Sequence, residues 1–369
     1  MKILITGVCG FVGSTLVKAL REEYSDLELA GVDNLSRTGS WLNRDALLRM
    51  GVKIIHGDIR NAGDVEGLPK VDWVIDAAAN PSVLAGIDGK TSSRQLVEHN
   101  LAGTINLLEY CKRSQAGFVL LSTSRVYSIP PLAGLKMRLT ALGADGGEAW
   151  RCGPMLTPEP EQVFPVGISL NGVSERTSTE PPTSLYGSTK VCSEHLALEY
   201  GATFNFPVWI NRCGVLAGAG QFGHPAQGIF AYWVHSYHER RPLKFIGFGG
   251  LGYQVRDALH PRDLLPVLKA QFAEPLNTPK PRTVNFGGGN DNSMSLAQLH
   301  TWCARRFGEN SPASSFAETR AFDIPWMVMD TALVRSVWDW KPQRTLPDIL
   351  EEIAAFAEAH PKFLECCMG

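Results

Sequence analysis

The chain has 369 residues, 44% of them hydrophobic and 20% charged, a balance that fits a folded globular protein and excludes a disordered one. A formal net charge of -2 leaves no basic footprint for nucleic acid, and no block of like charge occurs. No apolar stretch reaches the length of a membrane span and the N-terminal apolar run is broken at once by glycine, so a cytoplasmic protein is expected, partnered by neither nucleic acid nor membrane.

Apolar runs at residues 3–5, 27–32, 52–55, 71–76 and 118–121 read as strands. Helical faces lie between them, with Val12, Leu16 and Leu20 on one and Leu101, Ile105 and Leu108 on another. This alternation predicts an α/β fold, a Rossmann-type doubly wound parallel sheet with both faces covered. Residues 129–183 break the rhythm: they are rich in proline and glycine, and a loop that long is either functional or mobile. The segment is expected to be an insertion, serving as a cover over the active site or lying plainly on the surface. After a strand at 208–212 come helix patterns at 228–238, 262–272, 296–307 and 346–359, with strands at 243–246 and 283–286. They predict a smaller C-terminal α/β lobe, with some strands returning to the first sheet. The expected division is a dinucleotide-binding domain at 1–216 and a substrate lobe at 217–369. The eight cysteines show no metal-type spacing, so free and mostly buried thiols are expected, with no metal site and an exposed Cys366-Cys367 tail.

The string TGVCGFVG sets Gly7, Gly10 and Gly13 between the first strand and a helix opened by Phe11 and Val12. Gly7 allows the tight turn, Gly10 lets the backbone approach a pyrophosphate, and Gly13 lets helix and sheet pack closely. The helix N-terminus then offers its free N–H groups to the anion. Asp33 ends the second strand, where a carboxylate accepts hydrogen bonds from ribose hydroxyls and repels a ribose phosphate, favouring NAD over NADP. Asn34 follows it, and Arg37 is read as a mainly solvated neighbour of the same site. Asp58 and Ile59 close the third strand, placed to meet the adenine. Ala77, Ala78 and Ala79 end the fourth, where small side chains permit close approach of a dinucleotide.

In SLYGSTK, Tyr186 and Lys190 stand four apart on one helix face. A free phenol, with a pKa of about 10, is no base near neutrality. An ammonium one turn away favours the phenolate and fits Tyr186 for acid/base work. Thr123, at the end of the fifth strand, can hydrogen-bond a reacting sugar oxygen. The histidines at 56, 195, 224 and 260 are read as structural or surface residues.

These strings, with HGDI, the helix bearing Asn100, Gly103 and Thr104, LSTSRVY, QVRDALH and VNFGGG, resemble the extended short-chain dehydrogenase/reductase family of nucleotide-sugar enzymes. The resemblance implies Thr123, Tyr186 and Lys190 as the catalytic trio. It adds Asn100 and Val215 to the NAD shell, beside Tyr186 and Lys190 themselves. Dehydratases of that family carry Asp-Glu directly after the threonine; here Ser124 and Arg125 stand there, which removes the acid and base for elimination. A narrower likeness, through VDNLSR, PSVLAG, STSRVY, NRCGV and GIFAYWV, is to the CDP-tyvelose 2-epimerase branch. It implies a retained NAD that oxidises a CDP-sugar at C2 and reduces it again on the opposite face. On the substrate side it implies Arg256, Arg320 and Asp323 for the diphosphate and nucleotide ribose, with Ser82, Ser124, Arg125 and Asn211 near the sugar. A homo-oligomer, dimer or tetramer, is implied through helices near 93–112 and 186–200. The alternatives are a 4-epimerase, a net sugar-nucleotide oxidoreductase, and a non-catalytic NAD-binding protein.

Overall fold

A computed structural model of the chain describes residues 1–24, 26–87, 89, 91–142, 149–225, 227–310 and 312–367. Seven strands form the central sheet in the order Thr283–Phe286, Val208–Cys213, Gly117–Thr123, Trp73–Asp76, Lys2–Thr6, Glu28–Asp33, Lys53–His56, and every neighbouring pair runs parallel. Successive side chains of a strand point to opposite faces. Ile3 and Ile5 therefore pack with Leu16, Val17 and Leu20, while Leu4 packs with Leu107, Leu108 and Ala197. With both faces covered, nearly every strand position is buried, which is why the strands read as continuous apolar runs. All five strands expected in the first half are present, their ends shifted by a residue or two.

The helices Leu296–Phe307 and Leu346–Ala359 begin and end where the pattern puts them. Each opens on a capping box, Ser295 with Gln298 and Thr345 with Asp348, so the sequence itself fixes the first turn. The helix expected at 262–272 is instead a 3-10 turn, Pro261–Leu264, followed by a regular helix, Leu265–Ala273. Pro266 has no N–H to donate and is accommodated in a first turn, so the α-helix starts just before it.

The smaller lobe is built on Val255–Leu259, flanked by Val215–Leu216 and Trp326–Met327 in parallel and by Ser293–Ser295 antiparallel. Phe230, Trp233, Tyr237, Leu299 and Leu350 form its core. The boundary expected after residue 216 is corrected: Val215–Leu216 already belongs to the small sheet, so the chain crosses at Gly214. Thr283–Phe286 crosses back into the large sheet, beside Val208–Cys213.

The insertion is more ordered than its composition implies. It contains a helix, Ile129–Ala133, and an antiparallel ribbon of Met137–Leu142 with Gly153–Pro158; residues 143–148 lie outside the described ones. The ribbon is docked on the small lobe. Leu156 N donates to Tyr253 O at 2.9 Å, Ser295 Oγ to Pro154 O at 2.7 Å, and Gln298 Nε2 to Gly153 O at 3.0 Å. Its described residues line neither of the cavities below. The tail also differs from expectation: Cys366 is exposed but Cys367 is buried, because the helix Phe363–Cys367 turns Phe363, Leu364 and Cys367 inward. No described helix is long and apolar enough to cross a membrane.

Where the lobes join, Asp257 is completely buried and accepts hydrogen bonds at Oδ2 from Gly289 N (3.0 Å) and Met329 N (3.2 Å). Burial outweighs these bonds and pushes its carboxyl up to about 6. The fold thus favours the protonated form. Stability from this group is full below the ordinary carboxyl range near 4 and is lost as pH rises through about 6. Asp257→Asn should flatten the pH dependence of thermal unfolding in that window, by on the order of 2–3 kcal/mol relative to wild type. Parallel melting curves for both proteins across the window would rule this out.

Candidate active site

The carboxyl ends of the central strands, where a doubly wound sheet binds its ligand, carry the glycine turn. Gly7 has φ +61, and a Cβ on it would stand 3.0 Å from Ala78 Cα. A Cβ on Gly13 would stand 2.4 Å from Gly7 O. Only glycine allows this packing. The helix Phe11–Glu23 starts at Gly10 with no side-chain cap, leaving its first-turn N–H groups for an incoming anion. Asp33 accepts from Cys9 N and from Leu35 N, each at 2.8 Å, which fixes the carboxylate at the lip of the turn. Burial raises its pKa while these N–H groups oppose the rise.

A cavity of about 460 Å³ opens above these strand ends. Gly7, Gly10, Phe11, Val12 and Gly13 line it, as do Asp33, Asn34, Arg37, Asp58, Ile59, Ala77, Ala78, Ala79 and Val215. At its other end stand Thr123, Ser124, Arg125 and Tyr186. The donors, the anion-facing helix end and the close-approach glycines suit a dinucleotide. Asp58 is held by Arg60 and by Asn34 Nδ2 at 3.0 Å; Arg60 above all keeps its carboxyl far below the usual range.

Arg37 corrects its reading as a solvated residue. It is half-buried and bridges the lobes, donating from Nη1 to Gln227 Oε1 at 3.1 Å and from Nη2 to Phe222 O at 2.9 Å. Phe222 in turn stacks on Phe363 of the C-terminal helix, ring centroids 5.9 Å apart. Arg37, Phe222 and Gln227 all line the dinucleotide cavity and strap it on one side.

The helix Ser184–Phe204 presents Tyr186 to the cavity with Lys190 buried beneath. The electrostatics differ from the expected pairing. Burial raises the phenol's pKa, and what opposes it is a hydrogen bond with Thr123 and the charge of Arg125. Burial lowers the Lys190 pKa, countered by Asp76 and Glu194. Asp76 is itself fixed by Thr6 Oγ1 at 2.6 Å. Lys190 therefore sits in a buried carboxylate environment below the tyrosine and does not line the cavity.

Three further expected site residues line neither this cavity nor the one in the small lobe. Asn100, in a π-helical turn Val97–Ala102, accepts from Asn80 N at 2.8 Å and donates to Asn80 O (3.1 Å) and Thr189 Oγ1 (3.2 Å). It ties the loop after the fourth strand to the catalytic helix. Asn211 is spent on a reciprocal amide pair with Gln271, at 2.8 and 3.1 Å. Ser82 is absent from the lining, whereas its neighbours Pro81 and Val83 are in it.

A second cavity, of about 560 Å³, lies in the small lobe, and Arg256, Arg320 and Asp323 line it. Arg256 Nη2 donates to Asp323 Oδ1 at 2.6 Å, and Arg320 Nη1 to Pro225 O at 3.1 Å. Lys244, Gln254 and Gln227 complete its polar wall and were not singled out in the sequence. Tyr232 and Trp233 also line it, and they fall in the GIFAYWV string that carried the narrower resemblance. Arg125, Val215, Gln227 and Gly228 line both cavities, so the two spaces meet at Arg125.

The family model described as "NAD dependent epimerase/dehydratase family" matches residues 3–137 and 161–287. CDP-paratose 2-epimerase of Salmonella typhi is 28% identical over 367 residues, covering 96% of this chain and 98% of that protein. A dTDP-glucose 4,6-dehydratase of Salmonella typhimurium is 24% identical, covering 94% of this chain and 89% of that protein. Among solved structures, the UDP-glucuronic acid 4-epimerase of Bacillus cereus in complex with UDP-glucuronic acid and NAD superposes with a TM-score of 0.71. It is 26% identical, with 97% of this chain and 99% of that one covered.

Arg37→Ala removes both bonds of the strap. It should weaken NAD retention about tenfold, which is about 1.4 kcal/mol. NAD released by denaturing the dialysed protein measures this; unchanged retention would show that the strap does not hold the cofactor.

Proposed function

This chain belongs to the NAD-dependent epimerase/dehydratase family, and on that premise we propose that it epimerises a nucleotide sugar, with C2 of a CDP-sugar as the reacting carbon. The observation that carries the choice of epimerisation is the absence of a carboxyl pair at the reacting end. Ser124 and Arg125 follow Thr123. The carboxylates lining the first cavity, Asp33 and Asp58, lie at the far side of the sheet, with two strands between the Asp33 strand and that of Thr123. In the second cavity Asp323 is committed to Arg256. Among the described residues that line the two cavities, no carboxyl pair stands beside Thr123 and Tyr186. The near end-to-end match to CDP-paratose 2-epimerase supports C2 and a cytidine nucleotide. The nucleotide sugar held by the Bacillus cereus epimerase supports the substrate class.

In this mechanism the small lobe holds the diphosphate through Arg256, Arg320 and Lys244, and the sugar extends to the junction beside Thr123 and Tyr186. Bound NAD supplies the hydride acceptor and, later, the donor. Tyr186 takes the hydroxyl proton as the C–H bond breaks, and a carbonyl forms on the sugar. Thr123 hydrogen-bonds that oxygen and the phenol. The keto sugar turns about its anchored diphosphate; Tyr186 then returns the proton while the carbon is reduced on its other face. Lys190 maintains a positive charge beneath the tyrosine.

Turnover of CDP-paratose in deuterated water tests the mechanism. Product C2 should carry no solvent deuterium, with no lasting accumulation of NADH; solvent label at C2, or net cofactor reduction, overturns it. Tyr186→Phe should lower kcat by about 10²–10⁴-fold, the usual share of a general acid/base. Full activity in that variant would leave only a binding role.

A further inference from the structure

Arg125 is held at both ends. Its backbone N–H donates to Thr123 Oγ1 at 3.2 Å, and its carbonyl is pressed so close to the catalytic helix that a Cβ on Gly187 would stand 2.2 Å from it. Its tip crosses to the small lobe, where Nη1 donates to Phe322 O at 3.2 Å. That is its one side-chain hydrogen bond among the described residues. A guanidinium has five N–H donors, so four remain for a ligand.

Its surroundings leave it short of partners. Asp323, the nearby carboxylate, is bonded to Arg256 at 2.6 Å. Burial, with Arg256's like charge adding to it, pushes Arg125 down to about 10. A buried cation in that position is costly unless acceptor oxygens arrive. Their source follows from placement. Of the four residues that line both cavities, only Arg125 and Gln227 have polar side chains, and Gln227 Oε1 already accepts from Arg37. The dinucleotide fills one cavity and the diphosphate is gripped in the other, so what passes between them is the hexose.

We propose that Arg125 is a substrate-contacting residue which hydrogen-bonds hydroxyl oxygens of that hexose and so selects the carbon that lies beside Tyr186. This rests on the nucleotide-sugar reading above. The planar fork of the guanidinium suits two neighbouring oxygens, which a lysine's single ammonium matches less well. Arg125 thus performs at the sugar what Arg256 and Arg320 perform at the diphosphate.

Calorimetric titration of the NAD-loaded protein separates the two contacts. Wild type, Arg125→Met and Arg125→Lys are titrated with CDP, UDP and dTDP, and with the glucose ester of each. For the nucleotide that wild type binds best, Arg125→Met should leave the bare diphosphate within about twofold and weaken its glucose ester about tenfold, with Arg125→Lys intermediate. Equal weakening of diphosphate and ester would make Arg125 a phosphate ligand, and no weakening of either would remove it from the site; each overturns the assignment alone. Failure of wild type to bind any of the six compounds would overturn the nucleotide-sugar reading, and the assignment with it. Retained NAD and an unchanged melting temperature show that the variants are folded.

Discussion

The ion pair between Glu194 and Arg212 holds the site together from below. Glu194 is 1% exposed and Arg212 8%, and they meet through three contacts of 2.6 to 3.1 Å. Glu194 lies one helical turn beyond Lys190 and two beyond Tyr186, on the same face. Arg212 pairs in register with Ser122, whose hydroxyl donates to Glu194 Oε1 at 2.5 Å. One residue further along these strands are Cys213 and Thr123. The pair therefore sets the height and rotation of the catalytic helix against the strand that carries Thr123. Arg212 also lies over the ring of Tyr127, whose hydroxyl donates to Asn285 Oδ1 at 2.6 Å in the returning strand. Breaking such a pair on one side costs about 3–5 kcal/mol, because a buried charge is left without its partner.

Features legible in the sequence share a local cause. Apolar runs betray a sheet buried on both faces, capping boxes betray helix starts, and Gly7, Gly13 and Asp33 act through chain segments that follow one another in the βαβ unit. The Tyr186–Lys190 spacing is likewise local. What escaped depends on contacts distant in sequence. Nothing near Asn211 shows that Gln271 will consume its amide, and nothing near Arg37 shows that Phe222 and Gln227 will receive its guanidinium. The proline-rich insertion hid a ribbon because Pro154 and Pro158 lie, with Leu156, at alternate positions on the edge turned away from the partner strand, where the ladder needs no N–H from them. Helix spacing likewise gives the face shared by Tyr186 and Lys190, but not the groups the rest of the fold brings to it: Thr123 and Arg125 at the phenol, Asp76 and Glu194 at the ammonium.

The distribution of charge matches the division of labour. Carboxylates face the dinucleotide at its ribose end, where hydroxyls must be held. Arg256, Arg320 and Lys244 line the other cavity, with Asp323 paired to Arg256, a lining that suits the phosphates of the proposed substrate. Between them the reacting end has a phenol, a threonine hydroxyl and a guanidinium, groups that move or steady a proton on oxygen without offering a carboxylate for elimination.

Asp257 has a consequence for motion. Two of the chain's crossings between the lobes, at Gly214 and Gly287, abut this one carboxylate. A Cβ on Gly214 would stand 3.1 Å from Asp257 Oδ1, and one on Gly287 would stand 2.4 Å from Oδ2. Gly214 N also donates to Phe286 O at 2.7 Å, lacing the two passages to each other. Two adjacent, stitched connections make a poor hinge, since rotation about one strains the other. The cleft is accordingly stiff in width, and traffic through it falls to side chains and loops rather than to the swing of a domain. For the proposed epimerisation, in which an oxidised sugar turns without leaving, such rigidity would act as containment.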